Sequence, residues 1–297
     1  MNKAVAAMPD PFDALRQPVR RVDPDPSFTE NLRARVERAL QLPKGVTVSD
    51  IDVDVETALA ERIQHGDAGY ASLWVPDLER GQRFYSAVLG WPGPGQPVHR
   101  PPSEPGGLQQ GMASPDDLAY STLMIAYGVD DLDASLDTVA SEGGTAEPPT
   151  TETWGRTAMC ADPDGIRFAL YELPSEDGRG PRPAANGSAS GDLAYVTMSV
   201  HDSARSRQFY GAVLGWTFTP GHAADGWQVT NTVPMTGLHG GADRPRVVPM
   251  YLVHDIRAAV RKVTDAGGTA TEPQLQPYGW TSTCEDDQGT AFYLGQL

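Results

Sequence analysis

An eight-residue block, Phe84-Tyr85-Ser86-Ala87-Val88-Leu89-Gly90-Trp91, returns 125 positions later as Phe209-Tyr210-Gly211-Ala212-Val213-Leu214-Gly215-Trp216. Gly143-Gly144-Thr145 returns as Gly267-Gly268-Thr269, and Cys160 and Gly165 return as Cys284 and Gly289, each at an offset of 124. Three matched blocks in one order mean that a single structural unit is used twice. The units run over 68–173 and 193–297. Between them, 174–192 is rich in Gly, Pro, Ser and Ala, the composition of a flexible exposed linker.

Each unit predicts the same elements. A short alternating strand comes first, Tyr70 to Val75 and Tyr195 to Val200. A helix follows, with Asp77 or Asp202 as N-cap. Phe84, Val88 and Leu89 form its apolar stripe, and Gly90 or Gly215 stops it. Further strands include Thr122 to Ala126 and Val247 to Leu252. A second helix covers Leu132 to Glu142 and Ile256 to Ala266, each closed by a Gly-Gly pair. A last hairpin turns through Asp162-Pro163-Asp164-Gly165, and through Asp286-Asp287-Gln288-Gly289 in the second copy.

Residues 1–67 differ from both units. Ser27-Phe28-Thr29-Glu30 fits a capping box. Phe28, Leu32, Val36 and Leu40 then give one amphipathic helix, about 27–41, suited to docking on the body or on a partner subunit. The stretch from Pro9 to Pro26 carries five prolines and is expected to be extended.

Charge and size narrow the class. The 297 residues carry 23 Lys and Arg against 39 Asp and Glu, a formal net charge of -16. That opposes nucleic acid and anionic lipid as partners. No stretch reaches the ~20 apolar residues of a membrane span, and the first ten residues lack a signal-type apolar run. Two cysteines exclude a disulfide scaffold. The expected location is the reducing cytoplasm.

These blocks together resemble the vicinal oxygen chelate superfamily of glyoxalases, bleomycin-resistance proteins and extradiol dioxygenases. The residues that carry the likeness are Val75-Pro76-Asp77-Leu78-Glu79-Arg80 and Val200-His201-Asp202, each ahead of its Phe-Tyr and Leu-Gly-Trp pairs. Val129-Asp130-Asp131-Leu132, the Gly-Gly-Thr blocks and the Asp162 turn complete it. The resemblance is to a tandem two-module member of the actinobacterial glyoxalase-like type. It implies an α+β fold: two tandem βαβββ modules whose curved mixed sheets enclose a cavity, behind an N-terminal helical extension.

The resemblance also says where a metal would sit. Its ligand positions fall here on Tyr70 and Tyr195, on Ala169 and Tyr293, and on Met124 and Val248. None offers imidazole or carboxylate, and a neutral phenol is a poor donor. No metal and no cofactor is therefore expected. The six histidines lie in loops or at element ends; His239, in Leu238-His239-Gly240-Gly241, overhangs a cavity at best and otherwise is a solvated loop residue. Cys160 and Cys284, without neighbouring His or Lys, read as structural thiols.

Strand alternation about a four-residue hairpin turn then picks the cavity lining. In the first unit it gives Arg156, Ala158 and Cys160 with Arg167, Ala169 and Tyr171, plus Tyr70, Ser72 and Trp74. In the second it gives Trp280, Ser282 and Cys284 with Tyr293, plus Tyr195, Thr197 and Ser199. The expected ligand-binding set is Tyr70, Ser72, Trp74, Arg156, Tyr171, Tyr195, Thr197, Trp280, Ser282 and Tyr293. Such a lining suits a small aromatic or polycyclic ligand, a metabolite or antibiotic, in a cavity between sheets. The same rings would also serve simply to fill a sheet interior. The leading expectation is a metal-free binding protein, monomer or homodimer. Alternatives are a metal-independent isomerase, lyase or cyclase using Tyr70, Tyr195, Tyr293 or Arg156, a metal-dependent glyoxalase or dioxygenase with unrecognised ligands, and a scaffold whose head helix recruits a partner.

Overall fold

A computed structural model describes residues 62–100 and 108–297. The expected head helix and proline-rich stretch lie outside the described residues.

The first unit runs β1 (Ala68–Trp74), α1 (Leu78–Leu89), β2 (His99–Arg100), β3 (Gln109–Ala113), β4 (Thr122–Val129), α2 (Leu132–Ser141), β5 (Thr145–Ala146), β6 (Thr150–Glu152), β7 (Gly155–Ala161) and β8 (Arg167–Glu172). The second runs β9 (Leu193–Ser199), α3 (Ser203–Leu214), β10 (Phe218–Pro220), β11 (Gly226–Val229), β12 (Thr236–His239), β13 (Arg246–Leu252), α4 (Ile256–Asp265), β14 (Thr269–Ala270), β15 (Gln274–Gln276), β16 (Gly279–Glu285) and β17 (Ala291–Gln296). These are two tandem α+β modules of the expected class. Their sheets have the orders β2-β3-β1-β4-β8-β7-β5 and β10-β11-β12-β9-β13-β17-β16-β14, with β6 added on β7 and β15 on β16. In each, two parallel pairs (β1 with β3, β4 with β8; β9 with β12, β13 with β17) meet at a central antiparallel one.

Each module holds the strand–helix–strands pattern twice, and one local code starts all four helices. A buried Val ends the strand at Val75, Val129, Val200 and Val253. Two residues on, Asp77, Asp131, Asp202 and Asp255 cap the next helix, their carboxylates accepting the amide N–H of Arg80, Ala134, Arg205 and Ala258. Such a cap is worth ~1 kcal/mol. The first helix of each module stops at a left-handed glycine, Gly90 (φ 73°) or Gly215 (φ 64°).

The repeated aromatic block is used across the modules. Phe84 of α1 meets Phe292 of the second sheet at 6.0 Å between ring centroids, and Trp91 meets Tyr251 at 5.2 Å. Reciprocally, Phe209 of α3 meets Phe168 at 6.1 Å, and Trp216 meets Tyr127 at 5.3 Å. Trp91 Nε1 donates to Gly191 O, and Trp216 Nε1 to Gly66 O. The inner faces of both sheets and the helices between them thus form one continuous apolar core. Fully buried rings of this size contribute ~1.5–3 kcal/mol each, so neither sheet is complete without the other unit's helix.

The segment 174–192 is pinned rather than free. Arg182 makes a paired 2.8 Å contact with the fully buried Asp67, and Arg179 reaches Asp130 at 2.7 Å. Its Gly- and Pro-rich composition conceals these few anchoring charges.

Candidate functional site

The expectation of a cavity between the sheets is corrected by the fold. That space is the shared core, and each sheet turns its other face outward. On the first sheet that outer face carries a separate apolar cluster. Trp74, Met124, Ala126 and Ala169 form it, with Tyr70, Met159 and Tyr171 packed at its border. The strand register accounts for the cluster, since Tyr70 pairs with Ala126, Ser72 with Met124 and Ala126 with Ala169. The adjoining pocket has a volume of about 430 Å³ and is lined by Trp74, Leu118, Tyr120, Glu147, Met159 and Arg167 among others. Arg167 lies over the Trp74 ring, 5.0 Å from its centroid, and pairs with Asp117 at 2.7 Å. The rim therefore offers a planar cation for stacking and a carboxylate beside it.

The outer face of the second sheet is more polar. A pocket of about 350 Å³ is lined by Tyr195, Thr197, His222, Gln228, Gly237 and His239 among others. Tyr293 shares this face, opposite Met250 in register, and Met250 in turn pairs with Tyr195.

Three expected lining residues are on the wrong side. The hairpin turn has five residues, not four. Asp162 N–H donates to Ile166 O, and Asp162 Oδ1 accepts the N–H of both Asp164 and Ile166. The first paired residues are therefore Ala161 and Arg167, and Cys160 faces Phe168. Asp286 builds the same turn with Gln288 and Thr290. One extra turn residue exchanges the faces of β7 and β16. Arg156 accordingly points to the helix side, where it pairs with Asp133 of α2 at 2.7 Å and with Glu172. Trp280 packs against the core with Arg257 of α4 above its ring. Ser282 is buried and donates to Thr271 O at 2.7 Å. Thr157 and Met159, and Thr281 and Thr283, take the outer positions instead. Tyr70, Ser72, Trp74, Tyr171, Tyr195, Thr197 and Tyr293 remain on the outer faces.

The two phenols at the first family ligand position are engaged by their own sheets. Tyr70 lies over Gly111, where an added Cβ would come 2.1 Å from its hydroxyl oxygen, and that hydroxyl meets His99 Nδ1 at 3.1 Å. Tyr195 lies over Gly237 in the same way and donates to Gln228 Oε1 at 3.1 Å. Burial raises the Tyr70 hydroxyl and pushes that of Tyr195 up to about 12. Neutral phenols turned toward a sheet edge do not make a cation site, and Met124, Ala169 and Val248 supply no oxygen or nitrogen. Among the described residues no three His, Cys, Asp or Glu side chains come together to hold a metal ion. The donor set does not fit the metal that the family's enzymes use.

Sequence reasoning missed the His99 and Gln228 partners and the closeness of His239 to Ser199, 2.8 Å from Nε2 to Oγ. The glycines at 111 and 237 were the available signal, since only glycine fits beneath a tyrosine ring there.

Residues 67–170 match the family model described as the Glyoxalase/Bleomycin resistance protein/Dioxygenase superfamily, and residues 195–295 match a Glyoxalase-like domain. The chain is 27% identical over 275 residues to the anthracycline biosynthesis protein DauV of Streptomyces sp. strain C5, covering 80% of this chain and 95% of that one. It is 24% identical over 257 residues to the putative glyoxylase CFP32 of Mycobacterium bovis, covering 77% and 94%. In structure it resembles the Mn(II)-bound glyoxalase of Novosphingobium aromaticivorans, with a TM-score of 0.54 at 14% identity over 80% of this chain and 83% of that one. No helix among the described residues is long and apolar enough to cross a membrane. With both repeats matched and the paired sheets in place, the chain belongs to the glyoxalase/bleomycin resistance protein/dioxygenase superfamily.

Proposed function

We propose that this protein binds a flat aromatic small molecule, without a metal, on the outer face of its first sheet. The observation that carries this reading is the apolar cluster of Trp74, Met124, Ala126 and Ala169. It lies outside the main core, includes Met124 and Ala169 at two of the positions where the resemblance places metal ligands, and meets through Trp74 a pocket large enough for a ring system. Indole, thioether and the Arg167 guanidinium are chemistries that hold a π-face. The polycyclic class is supported by the likeness to DauV, whose name places it in anthracycline biosynthesis. Tyr70, Ser72 and Tyr171 border the same surface, and Tyr195, Thr197 and Tyr293 form its counterpart on the second sheet. Each face is built from one chain, so a monomer suffices and a homodimer is compatible.

Calorimetric titration with an anthracyclinone tests the proposal. The expected result is saturable binding that EDTA leaves unchanged, weakened about tenfold by Trp74→Leu, equivalent to ~1.4 kcal/mol. Absence of binding overturns it. So does affinity that disappears with EDTA and returns with a transition metal.

A further inference from the structure

The second sheet carries an arrangement that binding alone does not use. Ser199 of β9 and His239 of β12 are paired positions on adjacent parallel strands. Ser199 Oγ lies 2.8 Å from His239 Nε2. Both side chains are half-buried on the outer face, outside the main core. His239 lines the pocket of about 350 Å³.

The other ring nitrogen favours one direction of the proton. His239 Nδ1 faces Gly240 O at 3.4 Å. A proton on Nδ1 suits that carbonyl, whereas a bare Nδ1 would set lone pair against lone pair. With the proton on Nδ1, Nε2 is the acceptor and the Ser199 hydroxyl is the donor. This is the polarity of a nucleophile held by its base.

We propose that Ser199 and His239 form a metal-free acyl-transfer site for small carboxylic esters. Ser199 Oγ attacks the ester carbonyl carbon as His239 Nε2 takes the hydroxyl proton. The tetrahedral intermediate collapses, its bond to the alkoxy oxygen breaks, and the departing alcohol receives that proton from His239. Water then adds to the acyl carbon and gives a proton to His239. The carboxylic acid leaves as the Ser199 oxygen takes the proton back.

The surroundings also set the speed. The amide N–H groups of Gly240, Gly241 and Ala242 are committed to Asp225 O, His201 O and Val200 O. The adjacent loop thus presents no free amide to a developing oxyanion, and Nδ1 meets a carbonyl rather than a carboxylate. One missing oxyanion donor lowers a rate ~10²–10³-fold. Covalent trapping is therefore the sensitive readout, not steady-state turnover.

The full chain is treated with a fluorophosphonate, and the adduct is located by intact mass and peptide mapping. One phosphonyl group on Ser199 is expected, absent in Ser199→Ala. Labelling should be at least 100-fold slower in His239→Gln, whose amide can still bond to Ser199 but accepts no proton. Thermal melts establish that each variant is folded. A Ser199→Cys variant gives a second reading, since it should take up one more equivalent of iodoacetamide than the native chain. No adduct on Ser199, an unchanged rate in His239→Gln, or no extra alkylation overturns the site and leaves the pair as a strand-to-strand tie. Ligand binding on the first sheet stands or falls separately.

Discussion

Tyr210 Oη donates a 2.9 Å hydrogen bond to Asp162 Oδ2, joining the second unit's first helix to the first unit's hairpin turn. Asp162 is buried, and its Oδ1 already accepts two backbone N–H groups of the turn. Burial pushes this carboxyl up to about 6 from 3.8, against the opposing pull of the hydrogen bonds from Ile166, Tyr210 and Asp164.

A pH dependence follows from that shift. The folded state binds the Asp162 proton more tightly than the unfolded state does. The contribution to stability is complete below pH 3.8 and is lost as pH rises through about 6. Two pK units correspond to roughly 3 kcal/mol. In Asp162→Asn the amide oxygen can still accept the turn's N–H groups, but the titration is gone. Thermal melts between pH 4 and 7 should show a shallower fall in Tm for the variant than for the native chain. Parallel curves would contradict the assignment.

The Gly-Gly-Thr blocks answer to packing as well as to chain reversal. Gly267 closes α4 at φ 90°. The next residue, Gly268, has no room for a side chain: an added Cβ would lie 2.5 Å from Glu285 O and 2.9 Å from the Phe84 ring of the other unit. A backbone carbonyl cannot give way cheaply. Gly268→Ala is expected to lose stability toward the upper end of ~1–3 kcal/mol. Gly289, at φ 83° with nothing within 4 Å, should lose only the ~1 kcal/mol backbone cost on change to alanine. Urea midpoints at constant slope measure both.

Much of this fold is written locally. The Val-X-Asp starts, the glycine stops and the Phe-Tyr…Leu-Gly-Trp block act within one helix turn of themselves, so periodicity and capping rules read them directly. The hairpin register is different. A four-residue and a five-residue turn share the string Asp-Pro-Asp-Gly, and the Asp162 side chain decides between them by drawing Ile166 into the turn. That extra residue, and Thr290 in the same place of the second turn, moved Arg156, and Trp280 with Ser282, off the expected surface. The Ser199–His239 contact is further from view, because parallel strands bring together residues 40 positions apart. No local pattern marks such a pair.

The register makes its own prediction for ligand binding. Arg156 is tied to Asp133 and Glu172 on the helix side, and Trp280 sits under Arg257. Arg156→Ala and Trp280→Phe should leave anthracyclinone affinity within about twofold, while Trp74→Leu weakens it about tenfold, a difference of ~1.4 kcal/mol. Arg156→Ala should also change stability little, because the pair with Asp133 is exposed to water. A large loss of affinity in Arg156→Ala would return the four-residue turn to consideration.

The two cysteines provide the last test, one that needs no ligand. The corrected register sets Cys160 against Phe168 and Cys284 against Phe292, both within the shared core. Burial pushes each thiol up to about 12. At pH 8 very little of either thiol is then in the reactive thiolate form, and Cys160 and Cys284 are only 4% and 1% exposed, too little for a bulky disulfide reagent to reach them. Native protein should therefore release almost no thionitrobenzoate with Ellman's reagent over an hour, and two equivalents after addition of guanidinium. Had the thiols faced the outer pockets, as the four-residue turn required, they would react without denaturant. Prompt modification of one or two cysteines in the native chain would show that β7 and β16 have the opposite faces turned to the core.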